Sequence, residues 1–224
     1  MKFLNSFLIA SLIVFALNSP AHASAITGTT GASATSYQVT ITKVELCRSS
    51  ACSNPFTLGQ TTKSFDIASA AAGGEVGNYI SLRGIPLGQT WSHVRVTLST
   101  DFTITANDGT CMTNGNTSAS RGAWAASTAA IAGAQTASVL KLPNEALVKA
   151  ALGAGFSYTT YGVTQTDDAT QFTMTVALST PYTCKGVMPR VEVKFDTNAA
   201  FGYTGGCGQM FPQPPTITIT ASDP

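Results

Sequence analysis

The stretch Ser92–Ala106, SHVRVTLSTDFTITA, decides the fold class. From Val94 to Ile104 every second residue is apolar except at position 100, and these residues are Val94, Val96, Leu98, Phe102 and Ile104. Because successive side chains of a strand point to opposite faces, this period predicts a long β-strand with one buried face. The interruption at position 100 also allows two strands that meet at a bend near residues 99–101.

The same alternation recurs along the chain. Val39 and Ile41 alternate with polar residues, and Val44 and Leu46 do so out of phase. One extra residue near Thr42–Lys43, a β-bulge, would return all four to one face. Similar runs predict strands within residues 63–69, 78–88, 136–143, 156–180, 186–196 and 214–221, with a hairpin turn at Asp167–Asp168 inside the fourth run.

Residues 144–155, NEALVKAALGAG, predict a short helix. Asn144 is the expected N-cap, Glu145 lies in the first turn, and Gly153 ends the helix. Eight or nine short strands, one helix and no βα alternation predict an all-β fold. We expect an antiparallel Greek-key β-sandwich.

The chain begins with the pattern of a secretory signal peptide. Lys2 is followed by an apolar run up to Leu17 and by small residues around Ala23. We therefore expect a signal peptide over residues 1–25, a flexible lead over 26–36 and one β-sandwich domain over 37–224. An alanine-rich insertion is expected at about 119–137. The uncharged stretch 122–140 is too rich in alanine and hydroxyls to favour a membrane span, so none is expected in the mature chain.

Charge is low and balanced, which bears on partners. The sequence has 12 Lys and Arg against 11 Asp and Glu, giving a net charge of +1. Such a chain lacks the basic patch that nucleic acids and anionic lipids require. A net charge near zero favours association of copies, so self-association or a cell-surface partner is expected.

The five cysteines all follow the predicted signal peptide, and in an exported chain they indicate disulfides before metal ligands. Cys47 and Cys52 are close enough to close a small loop. We expect a second bridge between Cys184 and Cys207, which leaves Cys111 as a free or intermolecular thiol. The competing pairing joins Cys111 to Cys184 or Cys207. Zinc is not favoured, because the sequence has no C-x-x-C motif.

Three segments, VTITKVEL, FDIAS and YISLRGIPLGQTWSHVRVTLS, have a layout seen in secreted bacterial domains. In that layout a strand, a turn of the IPLG kind and an aromatic residue precede a long Val/Leu strand. The region 37–105 thereby resembles prealbumin-like β-sandwich domains of unknown function. The resemblance implies a fold and brings no catalytic residue.

The sequence offers one candidate binding surface. If Val94 and Val96 point inward, then Trp91, His93 and Arg95 project from the opposite face of the strand. A flat indole ring beside a guanidinium group suits a sugar or a partner protein. A catalytic triad is not expected, because Ser92 is adjacent in the strand and so faces the other way.

Carboxylates offer weaker candidates. Asp167 and Asp168 are typical turn residues, and a calcium site using them or Asp108 lacks a known spacing. The alternating charges at Arg190, Glu192, Lys194 and Asp196 predict ion pairs on one strand face. We therefore expect no catalytic residue, no metal and no cofactor.

These patterns favour a secreted, non-enzymatic, cell-surface, adhesive or appendage-type structural protein. The alternative is a periplasmic or extracellular module that binds carbohydrate or peptide through Trp91, His93 and Arg95. Either protein would work in the periplasm, on the outer surface or outside the cell.

Overall fold

The structure is a computed structural model that describes residues 30–69, 84–186, 190–203 and 205–222. Strands dominate it, which confirms the predicted all-β class. The strands are β1 Thr30–Ala32, β2 Ala34–Cys47, β3 Phe56–Gly59, β4 Lys63–Asp66, β5 Thr90–Ser99, β6 Asp101–Ala106, β7 Cys111–Met112, β8 Thr128–Ala129, β9 Ser138–Lys141, β10 Val163–Thr164, β11 Gln171–Thr183, β12 Arg190–Asp196, β13 Phe201–Tyr203, β14 Met210–Pro212 and β15 Thr216–Ser222.

The described strands form three sheets. The largest has the order β12-β15-β11-β5-β2-β6-β9, with β10 paired to β11 and with β3 and β4 paired to β2. A second sheet has the order β1-β13-β14, and β7 pairs with β8. Neighbours pair antiparallel except β11 and β15, which are parallel and meet at Leu178 and Ile219. The predicted signal peptide 1–25, part of the run 78–88 and residues 187–189 lie outside the described residues.

The opening stretch is two strands, β5 and β6, that meet at Thr100. Thr100 is fully buried, and Arg121 donates a hydrogen bond from Nε to its Oγ1 at 2.7 Å. Beyond this bend the two strands pair with different parts of β2: β5 with Ile41–Cys47 and β6 with Ala34–Gln38. The register of β2 against β5 shifts between Ile41 and Lys43, which confirms the predicted bulge.

Structure begins earlier than the sequence indicated. Residues 30–36, which the sequence predicts to be a flexible lead, lie in β1 and β2 apart from Ser33 between them. Ala32 and Ala34 are buried, and β1 pairs along its whole length with β13. The sequence does not reveal these strands, because alanine and glycine contribute little hydrophobic contrast. The alanine-rich segment 119–137 is an irregular excursion that contains β8, and its Ala125 is bridged to Met210.

The predicted helix is α1, Glu145–Leu152, and it ends at Gly153. Its N-terminus is held by the hairpin turn before β11. The backbone N–H of Glu145 donates to Asp167 Oδ1 at 2.9 Å. Asn144 occupies the N-cap position without a side-chain cap bond. It exchanges two hydrogen bonds with Asp168 instead, at 3.0 and 2.9 Å.

One predicted disulfide is confirmed and the other is wrong. Cys47 is bonded to Cys52, but Cys207 is bonded to Cys111, with Cα atoms 5.5 Å apart. Cys184 is a buried free cysteine. The physical reason is the division of the core. Cys111 and Cys207 belong to one buried hydrophobic cluster and Cys184 to the other.

Candidate functional site

The predicted Trp91–His93–Arg95 surface does not form, because Trp91 points into the core. Its side chain is 1% exposed and packs beside Phe56, with ring centroids 6.0 Å apart. Opposite it in the sheet, the register of β11 shifts between Ala177 and Tyr182. Trp91 therefore lies in the same buried cluster as Val94, and the strict alternation assumed from the sequence fails at residues 92–93. No flat ring is available for a sugar at this position.

His93 is half-buried and engaged with its neighbour. Its Nδ1 lies 2.8 Å from Ser92 Oγ, and Ser92 Oγ donates to the Arg48 carbonyl at 2.6 Å. Because a hydroxyl has one hydrogen, Ser92 accepts from a protonated Nδ1. Burial lowers the pKa of His93, which favours the neutral ring, and the bond to Ser92 places its hydrogen on Nδ1. The pair is oriented opposite to a nucleophile–base pair, where histidine accepts the hydroxyl hydrogen.

Arg95 belongs to an ion cluster on the face of β5 and β2 that is opposite to Val94. Its Nε donates to Glu45 Oε2 at 2.8 Å, and Lys43 Nζ lies 2.6 Å from Glu45 Oε1. Arg95 Nη1 also donates to the Cys52 carbonyl at 3.4 Å. Burial raises the pKa of Glu45, but hydrogen bonds and charges from Arg95 and Lys43 outweigh it, so the pKa lies below its usual value. The cluster ties β2, β5 and the disulfide loop together.

Sequence reasoning missed Glu45, although a usable signal existed. Lys43 and Glu45 are two residues apart and so share a strand face. Their partner Arg95 becomes evident only from the β2–β5 register, which sets Glu45 opposite Arg95.

The other candidate carboxylates have structural partners. Asp108 accepts backbone N–H bonds from Thr110 and Cys111, each at 2.9 Å, and a hydrogen bond from the Tyr203 hydroxyl. Asp167 and Asp168 hold the start of α1, as described above. Within the described ranges, no three His, Cys, Asp or Glu side chains are grouped so that they could hold a metal ion. The part of the chain that the structure describes also contains no helix long and apolar enough to cross a membrane.

An apolar cleft of about 150 Å³ lies between the β5–β11 part of the large sheet and the ribbon that β12 and β15 form at the end of that sheet. One wall is formed by β5 and β11, through Val94, Val96, Leu98, Met174, Val176 and Leu178. The opposite wall is formed by the inner face of the ribbon, through Val191, Val193, Phe195, Ile217, Ile219 and Ala221. Many of these side chains are only half-buried, so the two walls do not close completely on each other.

Polar groups at one end of the cleft are occupied. The buried Tyr37 hydroxyl donates to the Gln213 carbonyl at 3.2 Å, and the Tyr158 hydroxyl donates to the Pro143 carbonyl at 2.9 Å. Burial raises the pKa of both tyrosines, and the carboxylates of Glu145 and Asp167 add to the effect at Tyr158. Both hydroxyls therefore stay neutral, and the cleft offers an occupant mainly hydrocarbon contact.

The outer edge of β12 is the second feature suited to binding. β12 ends the large sheet, and among the described strands only β15 pairs with it. Its residues alternate, with Val191, Val193 and Phe195 toward the cleft and Glu192 and Lys194 exposed. Lys194 Nζ lies 3.4 Å from Glu192 Oε1, which confirms an ion pair on the predicted face.

No known protein-family model, curated protein or solved structure matches this chain. The functional assignment therefore depends on the residues and geometry given above.

Proposed function

We propose that the protein is a secreted, non-enzymatic structural protein of the cell surface, of the adhesive or appendage type. The observation that carries the proposal is the edge of β12, which no other described strand covers. A free strand edge presents a row of N–H and C=O groups that can pair with another chain. Association rather than chemistry is the function that such an edge serves.

Several further observations support this role. The polar groups that could have served chemistry, Ser92, Glu45 and Asp108, are held in structural hydrogen bonds. Two disulfides brace the chain, as is common in oxidising compartments. We also propose that the β11-β5-β2-β6 part of the large sheet and the facing β12–β15 ribbon are the two layers of a Greek-key β-sandwich, which is a frequent architecture of surface domains.

Cell fractionation of a culture of the source organism tests this role. The mature chain should stay with washed intact cells and be accessible to an added protease or antibody. Sedimentation of the purified protein should show association that increases with concentration. A strictly monomeric protein that is recovered only in the culture medium would contradict the proposal.

The apolar cleft favours a second function, uptake of an apolar ligand such as a hydrocarbon chain. Apolar cavities of about this volume bind small apolar molecules in other proteins. This ligand class replaces the carbohydrate proposed from sequence, because the Trp91 ring is buried and the cleft lining is apolar.

A dansyl-labelled fatty acid, displaced by unlabelled fatty acid, tests this second function. Val176→Phe fills the cleft and should weaken binding at least several-fold. Ala177→Phe is the matched control, since Ala177 is the neighbouring, exposed residue, and it should leave binding unchanged. Equal binding by wild type and Val176→Phe would rule out the cleft as the binding site.

A further inference from the structure

The charges along β12 are ordered so that two antiparallel copies of the strand can place unlike charges opposite each other. Reading along the strand, Arg190, Glu192, Lys194 and Asp196 carry positive, negative, positive and negative charges. Val193 stands at the centre of this sequence. If two copies of β12 lie antiparallel with Val193 opposite Val193, Glu192 of each copy faces Lys194 of the other. Arg190 and Asp196 occupy the next matched positions outward.

We propose that β12 pairs with β12 of a second copy of this chain, antiparallel about a two-fold axis at Val193. The inference rests on the proposed role as an associating surface protein and names its partner and register. Such an isologous contact closes at a dimer. It joins the two large sheets into one continuous sheet across the axis.

Charge selects this register over its neighbours. Directly opposed residues of an antiparallel pair lie on the same face of the sheet. A register that keeps the charged residues together on one face and the apolar residues on the other must therefore be centred on a residue, not between two residues. The two neighbouring registers of this kind are centred on Glu192 and on Lys194. Centring on Glu192 opposes Glu192 to itself, and centring on Lys194 opposes Lys194 to itself. Both neighbouring registers juxtapose like charges, which destabilises a pair. Of these three registers, only the one centred on Val193 opposes unlike charges.

The neighbouring strand does not supply competing charges. On the exposed face, β15 sets Thr220 opposite Glu192 and Thr218 opposite Lys194. These hydroxyl residues carry no charge, and the 3.4 Å contact between Lys194 and Glu192 joins side chains that are 58% and 44% exposed. Both charges are therefore accessible to a second copy.

The cleft face is complementary in the same register. Val193 would oppose its own copy, and Val191 would oppose Phe195. Pairs of β-branched and aromatic residues are favourable neighbours across strands. All three side chains line the cleft and are only half-buried, so the pairing removes more of their apolar surface from water.

Charge reversal tests the proposal in the full mature chain. In the proposed dimer, position 192 of each copy faces position 194 of the other, which gives two equivalent contacts. Glu192→Lys places lysine opposite lysine at both contacts, and Lys194→Glu places glutamate opposite glutamate at both. Each variant should weaken dimerisation roughly tenfold in sedimentation at low salt. The double variant Glu192→Lys/Lys194→Glu restores unlike charges at both positions and should recover the wild-type dissociation constant. It is the matched control for charge content and for folding.

Cysteine cross-linking tests the register. Opposed Cα atoms in an antiparallel pair are about 4.5–5.5 Å apart, which lies within the range that a disulfide spans. Val193→Cys should form a covalent dimer under a mild oxidant. Lys194→Cys is the control, because its copy lies diagonally across the pair, about 7–8 Å away, and should cross-link much more slowly.

The outcomes separate the inference from the proposed function. A dimer that is unaffected by both single charge reversals, or that cross-links through position 194 and not 193, overturns the register while leaving a surface role intact. A monomeric wild type at high concentration overturns the self-pairing. A dimer with the expected variants, found only in the medium, supports the inference and contradicts the surface role.

Discussion

Replacing Glu45 by glutamine should destabilise the protein by about 2–3 kcal/mol. The side chain is 3% exposed and joins Lys43 at 2.6 Å and Arg95 at 2.8 Å. Hydrogen bonds to charged groups contribute about 1.5–3 kcal/mol each, and breaking a fully buried pair costs about 3–5 kcal/mol. Lys43 and Arg95 are 33% and 25% exposed, so water hydrates them in part once the carboxylate is gone. We therefore expect a cost below the value for a fully buried pair. The melting temperature should fall by roughly 4–12 °C.

The effect should depend on pH. Because the pKa of Glu45 is lower in the folded protein than in the unfolded chain, the stabilisation is fully present above the unfolded pKa. It is lost as the pH falls through the folded pKa. The difference in unfolding free energy between wild type and Glu45→Gln should be largest near neutral pH and should shrink in acid.

Urea denaturation of both proteins across this pH range measures the difference without screening the charges by salt. Glu192→Gln, measured at a protein concentration where the chain is monomeric, is the matched control, since Glu192 also pairs with a lysine but is 44% exposed. Its cost should stay below about 0.5 kcal/mol. The reasoning is refuted if the two variants lose equal stability, or if the cost of Glu45→Gln does not change with pH.

Further predictions concern the disulfides, Trp91 and Asp167. Replacing Cys111 and Cys207 by serine should lower the unfolding free energy by about 5 kcal/mol, because this bridge spans 96 residues. Replacing Cys47 and Cys52 should lower it by about 2 kcal/mol, because that bridge spans 5 residues. Urea denaturation measures both losses, and equal losses would contradict the loop-entropy argument. Non-reducing mass spectrometry should find these two bridges and a Cys184 thiol that is alkylated only after unfolding, whereas alkylation of Cys111 in the native protein would contradict them. Trp91→Ala should cost about 3–5 kcal/mol by calorimetry, as for a core aromatic residue, and a loss under about 1 kcal/mol would indicate an exposed ring. Asp167→Ala removes the hydrogen bond to the Glu145 N–H and should lower the unfolding free energy by about 0.5–2 kcal/mol in urea denaturation. Asp168→Ala is the neighbouring comparison. If Asp167→Ala costs nothing, Asp167 does not cap the helix.

Local patterns predicted the strands and their irregularities well. The bend at Thr100 and the bulge near Lys43 followed from breaks in a period of two, because a break in alternation has few other structural causes. The helix 145–152 followed from its apolar spacing and Gly153. Each of these features depends on residues that are neighbours in sequence. The prealbumin-like resemblance stays a prediction.

Features set by distant residues were not predictable in this way. The orientation of Trp91 depends on the register shift in β11 beyond Ala177, which the sequence of β5 does not contain. Proximity in sequence favours Cys184 as the partner of Cys207, yet the chain returns to Cys111, 96 residues away, in the same buried cluster. The candidate site failed for the same reason, since a surface inferred from one strand ignores what the neighbouring strands impose.

The attachment of the β12–β15 ribbon connects the cleft with the proposed dimer. β15 pairs with β12 over Thr216–Ser222 but with β11 only at Leu178 and Ile219, where Ser179 Oγ also donates to the Ile219 carbonyl at 3.1 Å. A two-stranded ribbon is marginally stable by itself, so its packing over the cleft depends on what holds its two edges. Pairing through β12 would place each ribbon in a four-stranded antiparallel unit and would bring Val191 and Phe195 of both copies together beside their clefts. An apolar ligand that contacts the same inner face holds the ribbon from the other side. Because two binding events that stabilise one conformation favour each other reciprocally, ligand uptake and self-pairing through β12 should be cooperative.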